Sequence, residues 1–219
     1  NCQFTDNFVS VWVIGGGDET DENAEDETEE NAGLSLTLPL KRWGSDFQPL
    51  SYAFTVDWGD GTSGEVTSFD DEDKTHIYAE AGEYTVVISG LMEGFGLDEP
   101  WDSPPNSVQL RRVPNLGKLG YVSLRNAFAN YWNLTEFFGG VTTGVTDMSG
   151  MFYSAYNANP DVSNWDVSQV TNMYGMFYNA TTAMPDVSNW DVSQVTDMSW
   201  MFYGATSANP DVSNWDVSQ

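Results

Sequence analysis

The first third of the chain alternates apolar and polar residues. Every second residue from Tyr52 to Trp58 is aromatic or aliphatic, and Gly59-Asp60-Gly61 follows as a turn signal. A period of two predicts a strand with one buried face that enters a hairpin or loop. Further apolar runs predict strands at residues 8–14, 34–40 and 84–88. Because several short strands separated by turn signals are typical of a β-sandwich, we place one at residues 1–92.

The last third of the chain repeats itself. A 25-residue unit occurs three times without a gap, at residues 145–169, 170–194 and 195–219. This period is in the range of solenoids, in which each unit buries its apolar face against its neighbours. The sequence therefore predicts a mostly β protein, with a sandwich followed by a solenoid of 25-residue period.

Each repeat has two apolar halves. Val162, Trp165 and Val167 follow the L-x-x-L-x-L spacing of leucine-rich repeats, which predicts a short strand. The second half recurs at helical spacing and predicts a short helix that faces the same core, with the apolar positions Met173, Met176, Phe177 and Ala180. In this interpretation Trp165, Trp190 and Trp215 pack in the core and do not form a sugar-stacking row, and Met173, Met176 and Met198 fill the core.

Two stretches connect these parts. Residues 93–106 are rich in Gly, Pro and acidic residues, as a linker is. At residues 107–144 the repeat pattern decays, with a helix-like half at 124–129 and a strand-like half at 134–138. We interpret 107–144 as a divergent first coil, since a terminal repeat lacks one neighbour.

The last repeat lacks a following helical half. Its strand half would leave Trp215 and Val217 on an apolar edge. We expect the array to continue in the natural polypeptide, with docking of another subunit as the alternative. Both predict an end interface that contains Trp215 and Val217.

The charge of the chain is strongly negative. Seven Lys and Arg face 33 Asp and Glu, a formal net charge of −26, which disfavours nucleic acid and anionic membranes as partners. Nine of the thirteen residues at 18–30 are acidic, which predicts a solvated, mobile loop. No apolar run reaches the roughly 20 residues of a membrane span, so we expect no membrane insertion by this segment. Cys2 is the only cysteine, so it cannot form an internal disulfide, and a lipid anchor at Cys2 stays an open alternative.

Acidic residues recur at two positions of every repeat. Stacking would bring equivalent carboxylates to about the 4.8 Å strand spacing, where they repel one another. One hypothesis is calcium binding, and the other is that the aspartates close turns and are screened by salt. The candidate calcium ligands are Asp161, Asp166, Asp186, Asp191, Asp211 and Asp216.

An amide row runs beside these carboxylates. The pattern places both outward on the strand surface, which is the usual binding surface of a solenoid. Such a surface suits a basic protein or a polyhydroxylated glycan. The predicted interaction face consists of Asn164, Asp166, Asn189, Asp191, Asn214 and Asp216, which we call the Asn/Asp stripe.

Catalytic chemistry finds little support in the sequence. His76 is the only histidine, and no Cys or serine elbow accompanies it, so we expect a structural, hydrogen-bonded role for it. Asp57 and Asp60 resemble the carboxylate pair of a glycosidase, but aspartates that flank a glycine turn usually close that turn. We therefore expect no enzymatic activity.

Two motifs resemble known families. Trp58-Gly59-Asp60-Gly61, His76-Ile77-Tyr78 and Gly82-Glu83-Tyr84-Thr85-Val86 resemble the signature of the polycystic-kidney-disease (PKD) type immunoglobulin-like domain. The 25-residue units, with M-F-x-x-A and D-V-S-N-W-D-V-S cores, resemble the BspA-like leucine-rich-repeat surface proteins of bacteria, in which a PKD-like domain commonly precedes the repeats.

The resemblance implies an extracellular or cell-surface location and a role in adhesion or protein interaction, without shared catalytic residues. Partners would be a protein or glycan ligand, or copies of the protein itself. The alternatives are a subunit of an extracellular filament or sheath that assembles end to end, and a substrate-targeting module of a larger secreted enzyme.

Overall fold

The protein is mostly β in a computed structural model that describes residues 6–15, 34–44, 47–99, 102 and 104–218. These ranges contain a 3-10 turn at Glu72–Lys74 and no α-helix. No helix within them is long and apolar enough to cross a membrane. The strands are β1 (Phe8–Ile14), β2 (Ser35–Thr37), β3 (Tyr52–Asp57), β4 (Ser63–Val66), β5 (Thr75–Ile77), β6 (Gly82–Met92), β7 (Leu110–Asn115), β8 (Glu136–Phe137) and β9 (Asn159–Pro160).

A seven-stranded sheet has the order β4-β3-β6-β1-β7-β8-β9. Strand β3 shows the predicted alternation, with Tyr52, Phe54 and Val56 buried and the residues between them exposed. The strand predicted at 84–88 is longer, because β6 pairs with β1 along its first half and with β3 along its second half. The four pairs β4–β3, β3–β6, β6–β1 and β1–β7 are antiparallel.

Strands β2 and β5 form a separate antiparallel pair, from Ser35 opposite Ile77 to Thr37 opposite Thr75. The strand predicted at 34–40 is thus shorter than expected, because Pro39 has no N–H to donate to a ladder. Leu36 is fully buried in the same hydrophobic core as β3. The small pair therefore packs against the large sheet.

The large sheet continues past the predicted linker. Strand β7 pairs with β1, and β8 and β9 add to it in parallel. Within the predicted linker, Phe95 is fully buried and Gly94 forms a parallel bridge to Ser123. This part of the linker is packed instead of exposed, because its aromatic side chain enters the common core.

Beyond β7, backbone hydrogen bonds join residues about 25 positions apart. The N–H of Thr171 donates to the carbonyl of Thr146, and the N–H of Thr196 to that of Thr171, both at 2.9 Å. A line of isolated parallel bridges connects Ser123, Asp147, Asn172 and Asp197. Each repeat is therefore bonded to the one before it.

The short helix predicted at Met173–Ala180 is wrong. The N–H of Met176 donates three residues back to Met173, at 3.2 Å, whereas the next N–H, of Phe177, donates to the carbonyl of Met201 in the following repeat, at 2.9 Å. Successive turns therefore replace a helix, because every second N–H group donates to the following repeat instead of to its own segment.

Left-handed backbone explains this alternation. Gly175 has a φ of 57° and Asn179 a φ of 55°, and such residues interrupt an α-helix. The helix-like half predicted at 124–129 is interrupted in the same way by Asn126, at 53°. Apolar residues three and four apart still share one buried face, so the predicted core positions are buried although no helix forms.

The strand predicted from Val162 to Val167 is also wrong. The N–H of Trp165 donates to the carbonyl of Val162 at 3.1 Å, which closes a turn, and strand β9 lies just before it. The Asp161 side chain bonds the backbone of Ser163, and such local bonds compete with sheet pairing. In the predicted strand-like half at 134–138, only Glu136–Phe137 is a strand.

Stacked aromatic side chains fill the core of the repeats. Phe152 and Phe177 lie 5.5 Å apart at 8°, and Phe177 and Phe202 lie 5.5 Å apart at 2°. Phe128 continues this row toward the N-terminal sheet, 5.8 Å from Phe152. Met173 and Met176 are fully buried beside the row, as predicted, and Met198 is partly buried there.

A lysine is buried where the two parts of the chain meet. Lys41 is 2% exposed, and its Nζ donates to the carbonyl of Arg125 at 2.6 Å. Burial, together with the charge of Arg125, lowers the pKa of Lys41 to about 8. The folded state therefore releases this proton at a lower pH than the unfolded chain does.

We predict that the contribution of Lys41 to the free energy of unfolding rises between pH 8 and pH 10, because the unfolded chain still binds the Lys41 proton in that window. The gain is about 2 kcal/mol. Lys41→Met removes this rise, whereas the exposed control Lys118→Met retains it. Urea unfolding at several pH values measures the difference, and an identical pH dependence in Lys41→Met and the wild type would contradict the assignment.

Candidate interaction face

Each D-V-S sequence of the repeats forms the same side-chain-closed turn. Oδ1 of Asp161 accepts from the N–H of Ser163 at 3.2 Å and from its Oγ at 2.7 Å. Oδ1 of Asp166 accepts in the same way from Ser168, at 3.1 and 2.7 Å. The equivalent aspartates, Asp186, Asp191, Asp211 and Asp216, accept from the serine two residues on.

These turns hold the Asn/Asp stripe at the surface. All six of its residues are exposed, as predicted, although they lie in turns and not on a strand as expected. Asn164 lies within the turn that Val162 and Trp165 close, and it is exposed whereas Trp165 is buried. The turn, and not a sheet, therefore sets the direction of the stripe.

The carboxylates of the stripe are ionised at neutral pH. Hydrogen bonds from the Ser193 side chain and backbone lower the pKa of Asp191, although the charge of Asp166 in the preceding repeat acts to raise it. Hydrogen bonds from Ser218 lower the pKa of Asp216 against the charge of Asp191. Successive carboxylates are thus close enough to repel, and the serine bonds offset that repulsion.

Calcium binding stays a prediction. In the described ranges, no three His, Cys, Asp or Glu side chains come together as a group that could hold a metal ion. The six candidate aspartates are instead engaged in their own turns, as the alternative hypothesis expects. The acidic loop 18–30 and Cys2 lie outside the described residues.

The repeat tryptophans belong to the core, as predicted. The indole N–H of Trp165 donates to the carbonyl of Gly139, that of Trp190 to Val162, and that of Trp215 to Val187, each at 3.1 Å. Each indole therefore fastens its repeat to a segment 26 to 28 residues earlier.

The two residues of the predicted end interface differ in exposure. Trp215 is partly buried and stacks on Trp190 at 6.5 Å. Val217 is 66% exposed. Trp215 thus contacts the repeat before it, and the interface itself stays a prediction.

His76 and the two turn aspartates form one polar and aromatic cluster in the N-terminal part. His76 Nε2 lies 2.7 Å from Oδ2 of Asp60, and the imidazole stacks on Trp58 at 5.1 Å. Asp57 closes the turn by accepting from the N–H of Gly59, and Asp60 by accepting from Thr62, both at 2.9 Å. The predicted hydrogen-bonded role of His76 and turn roles of both aspartates are therefore confirmed.

Hydrogen bonding controls the ionisation of Asp60. Its partial burial acts to raise the pKa, but hydrogen bonds from Thr62 and His76 outweigh burial and lower the pKa of Asp60 to about 2. A carboxylate held ionised in this way is a stable acceptor for the turn and for the imidazole.

A second surface row was missed by the sequence analysis. Tyr153, Tyr178 and Tyr203 stack at 4.5 and 5.1 Å, and we call them the tyrosine row. They directly follow the phenylalanine of each repeat, and the 25-residue spacing alone could have revealed the row. Trp200 lies against it, 4.9 Å from Tyr203 and 6.3 Å from Tyr178.

The repeats are similar to a known family. Residues 122–219 match the family model described as "Mycoplasma protein of unknown function, DUF285". This range covers less than half of the chain, and it begins at Val122, whose carbonyl accepts a hydrogen bond from Thr146. That description names neither a ligand nor a reaction. A search of the curated proteins and a search of the solved structures gave no match.

The turn-closing role of the stripe carboxylates predicts a difference between two substitutions of Asp191. Asp191→Asn keeps an oxygen that accepts from Ser193 and removes a repelled charge, so we expect an unchanged or higher melting temperature. Asp191→Ala removes the acceptor and lowers the melting temperature by a few degrees. Thermal unfolding at low and high salt compares the two variants, and an equal loss in both would show that the charge itself is needed.

Proposed function

We propose that the protein is a non-catalytic binding protein of the cell surface or extracellular space. In this proposal a PKD-like sandwich carries a leucine-rich-repeat-type solenoid of 25-residue period, and the Asn/Asp stripe contacts a basic protein or a glycan. The stripe carries the proposal, because identical, exposed amides and carboxylates recur in register in three repeats.

The hydrogen bonding of the repeats supports the solenoid part of the proposal. Backbone bonds about 25 residues apart, together with the bridges from Ser123 to Asp197, are what stacked coils require. In such an array a residue type at one position becomes a row on the surface. The turns hold the stripe in place before binding, which lowers the entropy cost of association.

The negative charge of the repeats supports a positively charged partner. Lys, Arg and His are absent from the sequence after Arg125, whereas nine Asp and Glu follow it. A ligand with positive charge is therefore attracted and meets no competing cation on the repeats. The filament-subunit and enzyme-targeting alternatives stay predictions, as does calcium binding.

A charge-matched pair of triple variants tests the proposal. The stripe variant carries Asp166→Asn, Asp191→Asn and Asp216→Asn, which keep the turn acceptors. The control carries Glu65→Gln, Glu72→Gln and Glu80→Gln, which remove three exposed charges from the N-terminal part. The probes are an array of neutral, acidic and amino-sugar oligosaccharides and a panel of basic extracellular proteins.

We expect the stripe variant to bind its best probe about tenfold more weakly than the wild type and the control to bind within about twofold. Equal losses of affinity in both variants would show that binding depends only on the net charge of the protein, which would contradict the proposal. Turnover of a bound oligosaccharide, followed by mass spectrometry, would contradict its non-catalytic part.

A further inference from the structure

The backbone of Trp200 has a conformation that disfavours a bulky side chain. Its φ is 61°, in the left-handed region. The equivalent residues of the earlier segments are Asn126, Gly150 and Gly175, at 53°, 62° and 57°. Glycine adopts this conformation freely and asparagine more readily than most residues, whereas tryptophan adopts it under strain.

The contacts of Trp200 with Tyr178 and Tyr203 are not needed to close the tyrosine row. Tyr153 and Tyr178 stack at 4.5 Å with Gly175 at the equivalent position, so that step of the tyrosine row is closed without an aromatic residue there. Trp200 itself is 53% exposed. The third repeat therefore keeps a strained residue that is only about half-buried, a combination typical of binding positions.

Further tyrosines lie around Tyr153 of the row. Burial and the nearby hydroxyls of Tyr178, Tyr174 and Tyr156 raise the pKa of Tyr153, which places these residues in one neighbourhood. Tyr174 is 43% exposed. Tryptophan and tyrosine are enriched at the energetic centres of protein interfaces.

We propose that Trp200 and the tyrosine row form a docking site for a lysine- or arginine-bearing segment of a partner protein. This inference rests on the proposed function and adds a second contact surface to it. A cation over an indole is attracted by the ring quadrupole. Residues 126–219 contain acidic residues and no basic one, so their negative charge attracts a cation to this part of the protein.

The stacking of the row leaves its central tyrosine without a free face for a glycan. Tyr178 has Tyr153 on one side at 4.5 Å and Tyr203 on the other at 5.1 Å. Its ring faces are therefore covered, and a sugar that stacks on an aromatic residue needs a free face. The row presents ring edges and hydroxyls, which suit the backbone and side chains of a peptide.

The test uses the full chain and a fluorescein-labelled peptide of alternating arginine and glycine, titrated by fluorescence anisotropy at about 0.15 M and about 0.5 M salt. Trp200→Gly copies the first two repeats, and Trp200→Asn copies Asn126 as a second variant that fits the backbone. Trp132→Ala is the control, because Trp132 is also exposed, at 40%, in another segment.

We expect both Trp200 variants to bind the peptide about tenfold more weakly at either salt concentration, with melting temperatures equal to or above that of the wild type. The Trp132 control binds as the wild type does. A lower melting temperature with unchanged affinity would assign Trp200 a structural role and overturn the inference.

Two comparisons separate this inference from the proposed function. Loss of peptide binding in the stripe variant but not in the Trp200 variants would overturn the docking site and leave the stripe. Loss only in the Trp200 variants would support the docking site and contradict the stripe. Binding of a neutral oligosaccharide that Trp200→Gly abolishes would overturn the assignment of a peptide partner.

Discussion

The pairing of β1 with β7 is the contact on which the rest of the structure depends. Strand β1 is paired with β6 on one side and β7 on the other, and β7 then offers its free edge to β8, which pairs in turn with β9. An unpaired strand edge is a template for the next segment. The N-terminal sheet thus provides the first edge on which the repeats assemble, and a shared hydrophobic core follows from that geometry.

The 25-residue repeat of the sequence turns each local interaction into a row, because backbone hydrogen bonds join equivalent residues of successive repeats. Inside, this gives stacked phenylalanines from Phe128 to Phe202 and the indole-to-carbonyl bonds of the tryptophans. Outside, it gives carboxylates that repel one another, and the serine of each D-V-S turn offsets that cost. The stripe and the tyrosine row are consequences of the same period.

The alternation in β3 and the 25-residue period could be predicted from the sequence, because both are local and repeat without interruption. The turns at Met173–Ala180 could not, since consecutive turns bury the same i, i+3, i+4 positions as a helix does. The left-handed residues equivalent to Gly175 in the other segments are Asn126, Gly150 and Trp200, so no single residue type marks these turns. The bridge from Gly94 to Ser123 joins distant residues, and no local pattern signals it. In the candidate site, the exposure of the stripe could be predicted, because its residues alternate with buried ones. Its turn geometry could not be predicted, because it depends on the hydrogen bonds that the serines donate to the aspartates.

Native-state hydrogen exchange measured by mass spectrometry tests most directly whether the sheet and the repeats form one structure. The account predicts that the amides of β1, β6 and β7 and those of Phe152 and Phe177, which bond the next repeat, exchange through one cooperative opening at the same denaturant concentration. Exchange of the Phe152 and Phe177 amides at much lower denaturant, while β1 and β6 stay protected, would contradict it. The repeats would then fold independently of the edge that β7 provides.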